Sequence, residues 1–322
     1  MKRLFIRLLT SFIPGKKRRR IYRRRFMKTA PRKLTQVDKM QLTQEWSIDV
    51  ANMPKVGGLA RVVQLLELDI LEEVDRICRK HGLRYWLDYG TLLGAVRHKG
   101  FIPWDDDVDI SMPYEDALKF AEIAPQELKG DYVYFKPPGF FGRVMNKAFA
   151  LDNEQDFCRV YQKGERHKMF FMVDIFPIMY LKEEVSSEDA IKAIEQGIEA
   201  KIERKLCEDE VNFNAWRRLD DFTRELEAPL KSEHETSRMF MSLDCTVQPK
   251  PRLYRTKDVF PLREIEFEGK TFYAPNNAEV WLWYCFGEYW KPVVVPTHND
   301  LRKMSIDEAE KLANWGREHG CL

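Results

Sequence analysis

Residues 105–110 read Asp-Asp-Asp-Val-Asp-Ile, and this short run restricts the fold more than any other feature of the chain. Val108 and Ile110 mark a buried strand, yet Asp107 and Asp109 alternate with them. Residues two apart in a strand project from one face, about 6.6 Å apart along the chain. The two carboxylates therefore share a site while Val108 and Ile110 pack the opposite face. Two ionised carboxylates cannot sit together in an interior uncompensated: one takes up a proton, or a cation joins them. Mg²⁺ (or Mn²⁺) suits such a place, because it takes oxygen ligands and combines one or two carboxylates with substrate phosphate. Asp174, flanked by Val173 and Ile175 in a second apolar segment, is the expected third ligand. An Asp-x-Asp alone is a weak signal, since acids at strand ends often cap turns. The Gly90-Thr91 turn upstream, the basic Arg97-His98-Lys99 cluster and Asp174 give it weight.

The pattern around this run predicts the supporting elements. Apolar positions from Val62 to Ile77 recur with helical period between Val56 and His81, and Gly82 is a natural stop. "LRYWLDYG" predicts a strand ending at Gly90, followed by a short helix over 91–98. "DVDISM" is a strand, and Pro113 opens a helix through Ala124 with Glu115 and Asp116 in its first turn. "DYVYFK", "RVMNKAFALD" and "KMFFMVDIFPI" predict further strands. Arg143 and Lys147, four apart on the middle one, are expected on one face, aimed at an anion. Residues 186–242 are charged with sparse helical-period apolar positions, which predicts two helices in a cap or insertion. "REIEFEGKTFYAP" predicts a hairpin turning at Gly269, "NNAEVWLWYCFGEYW" an aromatic helix ending near Gly287, and 307–316 a last helix.

Charge is unevenly spread. Residues 1–33 hold 14 Lys/Arg and no acid, so against a net charge of +2 the other 289 residues carry −12. A basic nucleic-acid footprint over the body is excluded. No run approaches the roughly 20 apolar residues that span a bilayer. Arg7 breaks the first apolar run and no small-residue cleavage site follows, which argues against a signal peptide. The tail is expected to lie as an interfacial helix on an anionic membrane surface, each charge contributing about 1 kcal/mol near it. The alternative is a solvated basic tail. The six cysteines lie far apart without a Cys-x-x-Cys, the pattern of free thiols in a reducing cytoplasm.

"DYGTLLGAVRHKGFIPWDDDVDI", followed by "VDIFPI" and "YCFGEYWKP", resembles the LicD family of phosphocholine and fukutin-related sugar-phosphate transferases, from about Leu65 to Pro292. The resemblance implies an α+β fold, with a nucleotidyltransferase-like mixed sheet and flanking helices. With the charge and composition pattern, the chain is expected to divide into a basic tail and linker (1–55) and a catalytic domain (56–322) with a helical insertion over 183–250. It implies that Gly90 and Thr91 cradle donor phosphate, and that Asp107, Asp109 and Asp174 hold the metal. Asp174 is open to a second role as general base. Arg97, His98 and Lys99 are candidate diphosphate contacts. Trp86, Trp104, Trp281, Trp283 and Trp290 are candidates for a choline cage, against the ordinary reading of core aromatics.

The implied reaction moves a phosphorylated alcohol from a CDP-activated donor to a hydroxyl of a cell-surface glycan or its lipid-linked precursor. The expected enzyme is cytoplasmic and held to the inner face of the membrane. Three rivals stay open: a nucleotidyltransferase releasing pyrophosphate, a nucleotide-sugar glycosyltransferase, and a surface-binding protein without catalysis.

Overall fold

The structure is a computed structural model that describes residues 53–136, 141–150, 171–206, 221–243, 253–291, 301 and 304–322, the side chains of 201–206 excepted. All of these lie in the unit Ile48–Leu322, whereas the tail of residues 1–33 lies outside the described residues.

Helix α1 (Gly58–His81) forms because its apolar residues return to one side. Ile70, Leu71, Val74 and Ile77 are fully buried, each contributing about 2 kcal/mol of burial. Gly82, left-handed at φ 65°, ends it, and its N–H returns to the Arg79 and Cys78 carbonyls. The predicted strand before Gly90 is only Trp86–Leu87 (β1), because Asp88 caps a helix α2 that already begins at Tyr89 (Tyr89–His98). The Gly90-Thr91 pair thus lies inside the first helical turn. Strand β2 (Val108–Pro113) passes into α3 (Tyr114–Glu127), with β3 (Tyr132–Phe135), β4 (Gly142–Asn146) and β5 (Met172–Tyr180) following.

The sheet runs β1-β2-β5-β4-β3, with β2 and β5 parallel and the other pairs antiparallel. The expected mixed sheet is therefore observed. The segment expected to be a helical insertion is only partly so. Helix α4 (Ser187–Leu206) and a helical stretch over 221–227 are present, but Arg238–Met241 form strand β6, which pairs with β5, and Leu253–Arg255 form β7 beside it. Three consecutive buried residues, Met239, Phe240 and Met241, carry no helical period, and the open edge of β5 takes them as a strand.

A four-residue helix α5 (Thr256–Val259), the hairpin β8–β9 (Arg263–Phe267, Lys270–Ala274), α6 (Ala278–Phe286) and α7 (Ile306–Glu318) complete the described chain. Ser305 and Glu308 form a reciprocal cap at the start of α7. The main core joins α1, α2, the sheet and α6. Among the described residues no helix is long and apolar enough to cross a membrane, and Cys78, Cys285 and Cys321 are free thiols.

Candidate active site

Parallel pairing of β2 with β5 sets Asp109 directly beside Asp174, and antiparallel pairing of β4 sets Arg143 on the other side of Asp174. Three neighbouring strands thus carry a row Asp109–Asp174–Arg143 on one face. Asp88 extends it, since its N–H donates to the Asp109 carbonyl at 2.9 Å. Arg143 is 3% exposed and its Nε donates to Asp174 Oδ1 at 2.7 Å, while its guanidinium lies 4.6 Å from the Phe141 ring centre.

Asp109 is buried, and its carboxyl is held well above the usual range. Burial is the largest cause, followed by repulsion from Asp107, Asp174, Asp105 and Asp88. A second acid shares this field. Glu67 on α1 is fully buried and held up by burial, then by Asp107, Asp106 and Asp105, with the Met172 N–H bonding it in the opposite sense. Among the described residues its Oε2 has no hydrogen-bond partner. No motif in the sequence marks Glu67. Its signal was an acid set between Leu66 and Leu68 on the apolar side of a helix.

The carboxylates fit a divalent cation by charge and donor type, since hard oxygens crowd together here at a cost that a cation would remove. As they stand, no three His, Cys, Asp or Glu among the described residues are drawn together as a ligand shell. They meet as repelling charges.

Helix α2 is pinned against this row. Asp88 is wholly buried and its carboxylate accepts from the Tyr89 N–H (2.6 Å), the Ser111 hydroxyl (2.5 Å) and the Trp281 indole N–H (2.5 Å). Tyr89 enters the helix in the left-handed region, φ 40°, a strained conformation for a bulky side chain. Its ring packs 5.0 Å from Phe176. The Thr91 hydroxyl is buried and accepts from the Asp109 N–H at 2.9 Å, so its described role is to tie the helix to the strand. A Cβ at Gly90 would lie 2.5 Å from Asp105 Oδ2, so any larger residue there would displace that carboxylate.

The basic cluster divides. Arg97 Nη1 donates to the Tyr289 carbonyl at 2.9 Å, and burial lowers its guanidinium to about 10. His98 is pushed down to about 4, by burial first and by Arg97 second, so its ring is neutral at neutral pH. Arg97 Nε faces its Nδ1 at 3.4 Å, which leaves the proton on Nε2. Lys99 is exposed. Lys147 corrects the expectation that it shares a face with Arg143. Asn146 caps a 3-10 turn through the Ala148 N–H, ending β4 first, and the exposed Lys147 ammonium bonds the Gly130 carbonyl at 2.6 Å. Of the five tryptophans considered for a choline cage, Trp86 and Trp281 are fully buried core residues, edge to face at 5.7 Å.

A mixed sheet with an acidic pair on adjacent central strands, backed by a helix packed against the first acid strand, is the frame of a nucleotidyltransferase-type domain. Comparison with known proteins makes this specific: the family model described as LicD/FKTN/FKRP, nucleotidyltransferase domain, matches residues 82–204. The chain is 43% identical over 72 residues to the lipopolysaccharide cholinephosphotransferase LicD of Haemophilus influenzae, covering 22% of this chain and 27% of that one. It is 36% identical over 118 residues to the human ribitol 5-phosphate transferase FKRP, 37% of this chain and 21% of that one. An uncharacterized protein of Rickettsia typhi is 46% identical over 120 residues, 35% and 38% of the two chains. The matched segments thus span well under half the length of each of these relatives.

Proposed function

We propose that this chain is a divalent-cation-dependent transferase that moves a phosphorylated alcohol from a CDP-activated donor to a glycan hydroxyl. The carrying observation is the row Asp109–Asp174–Arg143, joined by Asp107 and capped by the start of α2. The similarity to a cholinephosphotransferase and a ribitol 5-phosphate transferase supports the class and names phosphocholine and ribitol phosphate as the first groups to try.

Mg²⁺ or Mn²⁺ held by Asp107, Asp109 and Asp174 would supply Lewis acidity for the diphosphate and offset charge on departing CMP. Arg143 keeps the Asp174 carboxylate turned along the sheet face, where it would complete the cation's shell or accept the proton of the attacking hydroxyl. The positive end of α2, at Tyr89 and Gly90, would face the donor phosphates. His98 would offer Nε2–H as a hydrogen-bond donor rather than charge, and Arg97 would supply the positive charge on that side. The acceptor is read as a lipopolysaccharide or teichoic-acid glycan, or its lipid-linked precursor. Residues 1–33 would then hold the enzyme to the anionic cytoplasmic leaflet, where such precursors are reached.

The full chain should release CMP from one of CDP-choline, CDP-ribitol, CDP-glycerol or CDP-ethanolamine with Mg²⁺ and a glycan acceptor. Asp109→Asn should stay folded and lose turnover by orders of magnitude. Pyrophosphate release from a nucleoside triphosphate, without CMP release, would replace this reading with nucleotidyl transfer. Full turnover in Asp109→Asn or in chelator would remove the cation mechanism.

A further inference from the structure

Helix α1 carries three polar residues at helical spacing on a side that is otherwise apolar: Arg61, Gln64 and Glu67. Gln64 is 1% exposed, and a buried amide is costly unless both its ends are bonded. Both are. Its Oε1 accepts from Arg61 Nη1 at 3.0 Å, and its Nε2 donates to the carbonyls of Ile102 (3.3 Å) and Asp105 (2.9 Å). Those two carbonyls bracket Pro103 and Trp104, in a turn closed by the Asp105 N–H on the Ile102 carbonyl at 2.9 Å. The acids begin at its last residue.

The other end of the same loop is held from the β8–β9 hairpin. The Glu268 N–H donates to the Lys99 carbonyl at 2.8 Å, and Glu268 Oε1 accepts from the Phe101 N–H at 3.0 Å. A Cβ at Gly100 would fall 2.2 Å from that carboxylate, so only glycine lets it in. Arg61 joins the two anchors, since its Nη2 also donates to Glu268 Oε2 at 2.6 Å.

The geometry points to Gln64 as a positioning residue, linked through Arg61 to Glu268, that fixes the turn from which Asp105, Asp106, Asp107 and Asp109 project. All three lie outside the matched stretch 82–204. The consequence for cation affinity rests on the reading of those acids as cation ligands; the fixing of the turn does not.

The test uses the full chain and two variants. Gln64→Leu keeps the volume and removes the amide. Ile194→Val is the control, a buried residue of the separate core cluster around Met179 and Phe240, where one lost methylene lowers stability without touching the loop. Hydrogen exchange of the 101–109 amides should quicken about tenfold in Gln64→Leu and stay unchanged in Ile194→Val, which is the effect of losing hydrogen bonds of ordinary net strength. Mn²⁺ affinity should fall about tenfold in Gln64→Leu alone. Unchanged exchange at 101–109, or the same change in both variants, overturns the proposal, and so does faster exchange with Mn²⁺ affinity equal to wild type. If the wild type binds no Mn²⁺, the cation reading of the acids falls, and the exchange result alone decides for or against Gln64.

Discussion

Arg143→Met tests the electrostatics of the site most directly, because the substitution keeps an unbranched stem and deletes the guanidinium with its charge and its bond to Asp174. The bond it breaks is short, 2.7 Å, and sits where Arg143 is 3% and Asp174 18% exposed. Removing one partner of a buried pair costs roughly 3–5 kcal/mol, and the partial exposure of Asp174 puts this case near about 3 kcal/mol. Most of that is the penalty of leaving Asp174 beside Asp109 without its guanidinium, on strands about 4.8 Å apart. Urea unfolding at pH 7 measures the loss, and the thermal midpoint should fall by about 6–12 °C.

The sign of the pH dependence follows from Asp109. Its carboxyl is already held above the ordinary range, by burial first and then by repulsion from Asp107 and Asp174. Removing the guanidinium bonded to Asp174 is expected to raise it further. A raised acid gives stability that is complete below the unfolded value, about 4, and is lost as pH rises through the folded value. The deficit of Arg143→Met should therefore shrink as pH falls from 7 toward 4, where a proton on Asp109 relieves the repulsion. Mg²⁺ at millimolar levels should recover part of the loss at pH 7. A variant within about 0.5 kcal/mol of wild type at pH 7, the lower edge of what removing any buried hydrogen bond costs, would refute the argument. So would a deficit that does not change with pH.

Other expectations follow from the same geometry. Trp281→Phe deletes a hydrogen bond to the buried Asp88 carboxylate and leaves a void, and should cost about 3 kcal/mol in urea unfolding; a loss under about 1 kcal/mol would deny Asp88 its structural place. Glu67→Gln removes an acid whose folded value is raised, so its stability relative to wild type should grow as pH rises above about 4.5, because the wild type alone then pays for holding a proton the unfolded chain releases. Equal differences at pH 4 and pH 7 would count against it. Deleting residues 1–33 should abolish sedimentation with anionic vesicles and leave CMP release on a soluble acceptor nearly intact. Full-length binding should weaken steeply with salt, since exposed charges are screened within about 10 Å at 0.1 M; persistent binding after truncation removes the membrane role from the tail.

What the sequence made legible is local. Helix α1, the strand that carries Asp109 and the Gly269 hairpin each follow from spacing and punctuation within a few residues. What it hid is contact across distance. That Asp174 lies beside Asp109 depends on parallel pairing of strands whose two acids are 65 residues apart, and a flanking pattern shows burial but not a partner. Trp281 reads as a core aromatic in any helical wheel, and its bond to Asp88 joins residues 193 apart. Lys147 departs from the expectation for the opposite reason: a side-chain cap from Asn146 stops the strand at that residue, well short of the end that the run "RVMNKAFALD" suggests. Gln64 and Glu67 were passed over because a polar residue inside an apolar period looks like noise until its partners are visible.

Parallel pairing of β2 and β5 makes the apolar layer an indexing device for the chemistry. Val108 stands opposite Val173 and Ile110 opposite Ile175, so the layer behind the acids sets which residues meet in front. A slip of one position would turn Asp174 into that layer and bring a valine or isoleucine to the face of the acids. Burying an unpaired carboxylate there costs several kcal/mol, and at 1.4 kcal/mol per tenfold, about 4 kcal/mol already holds misaligned chains to roughly one in several hundred. Single-residue deletions within either strand should therefore be unrecoverable even where the deleted residue touches nothing reactive, because they break the alignment of the charges and not the charges themselves.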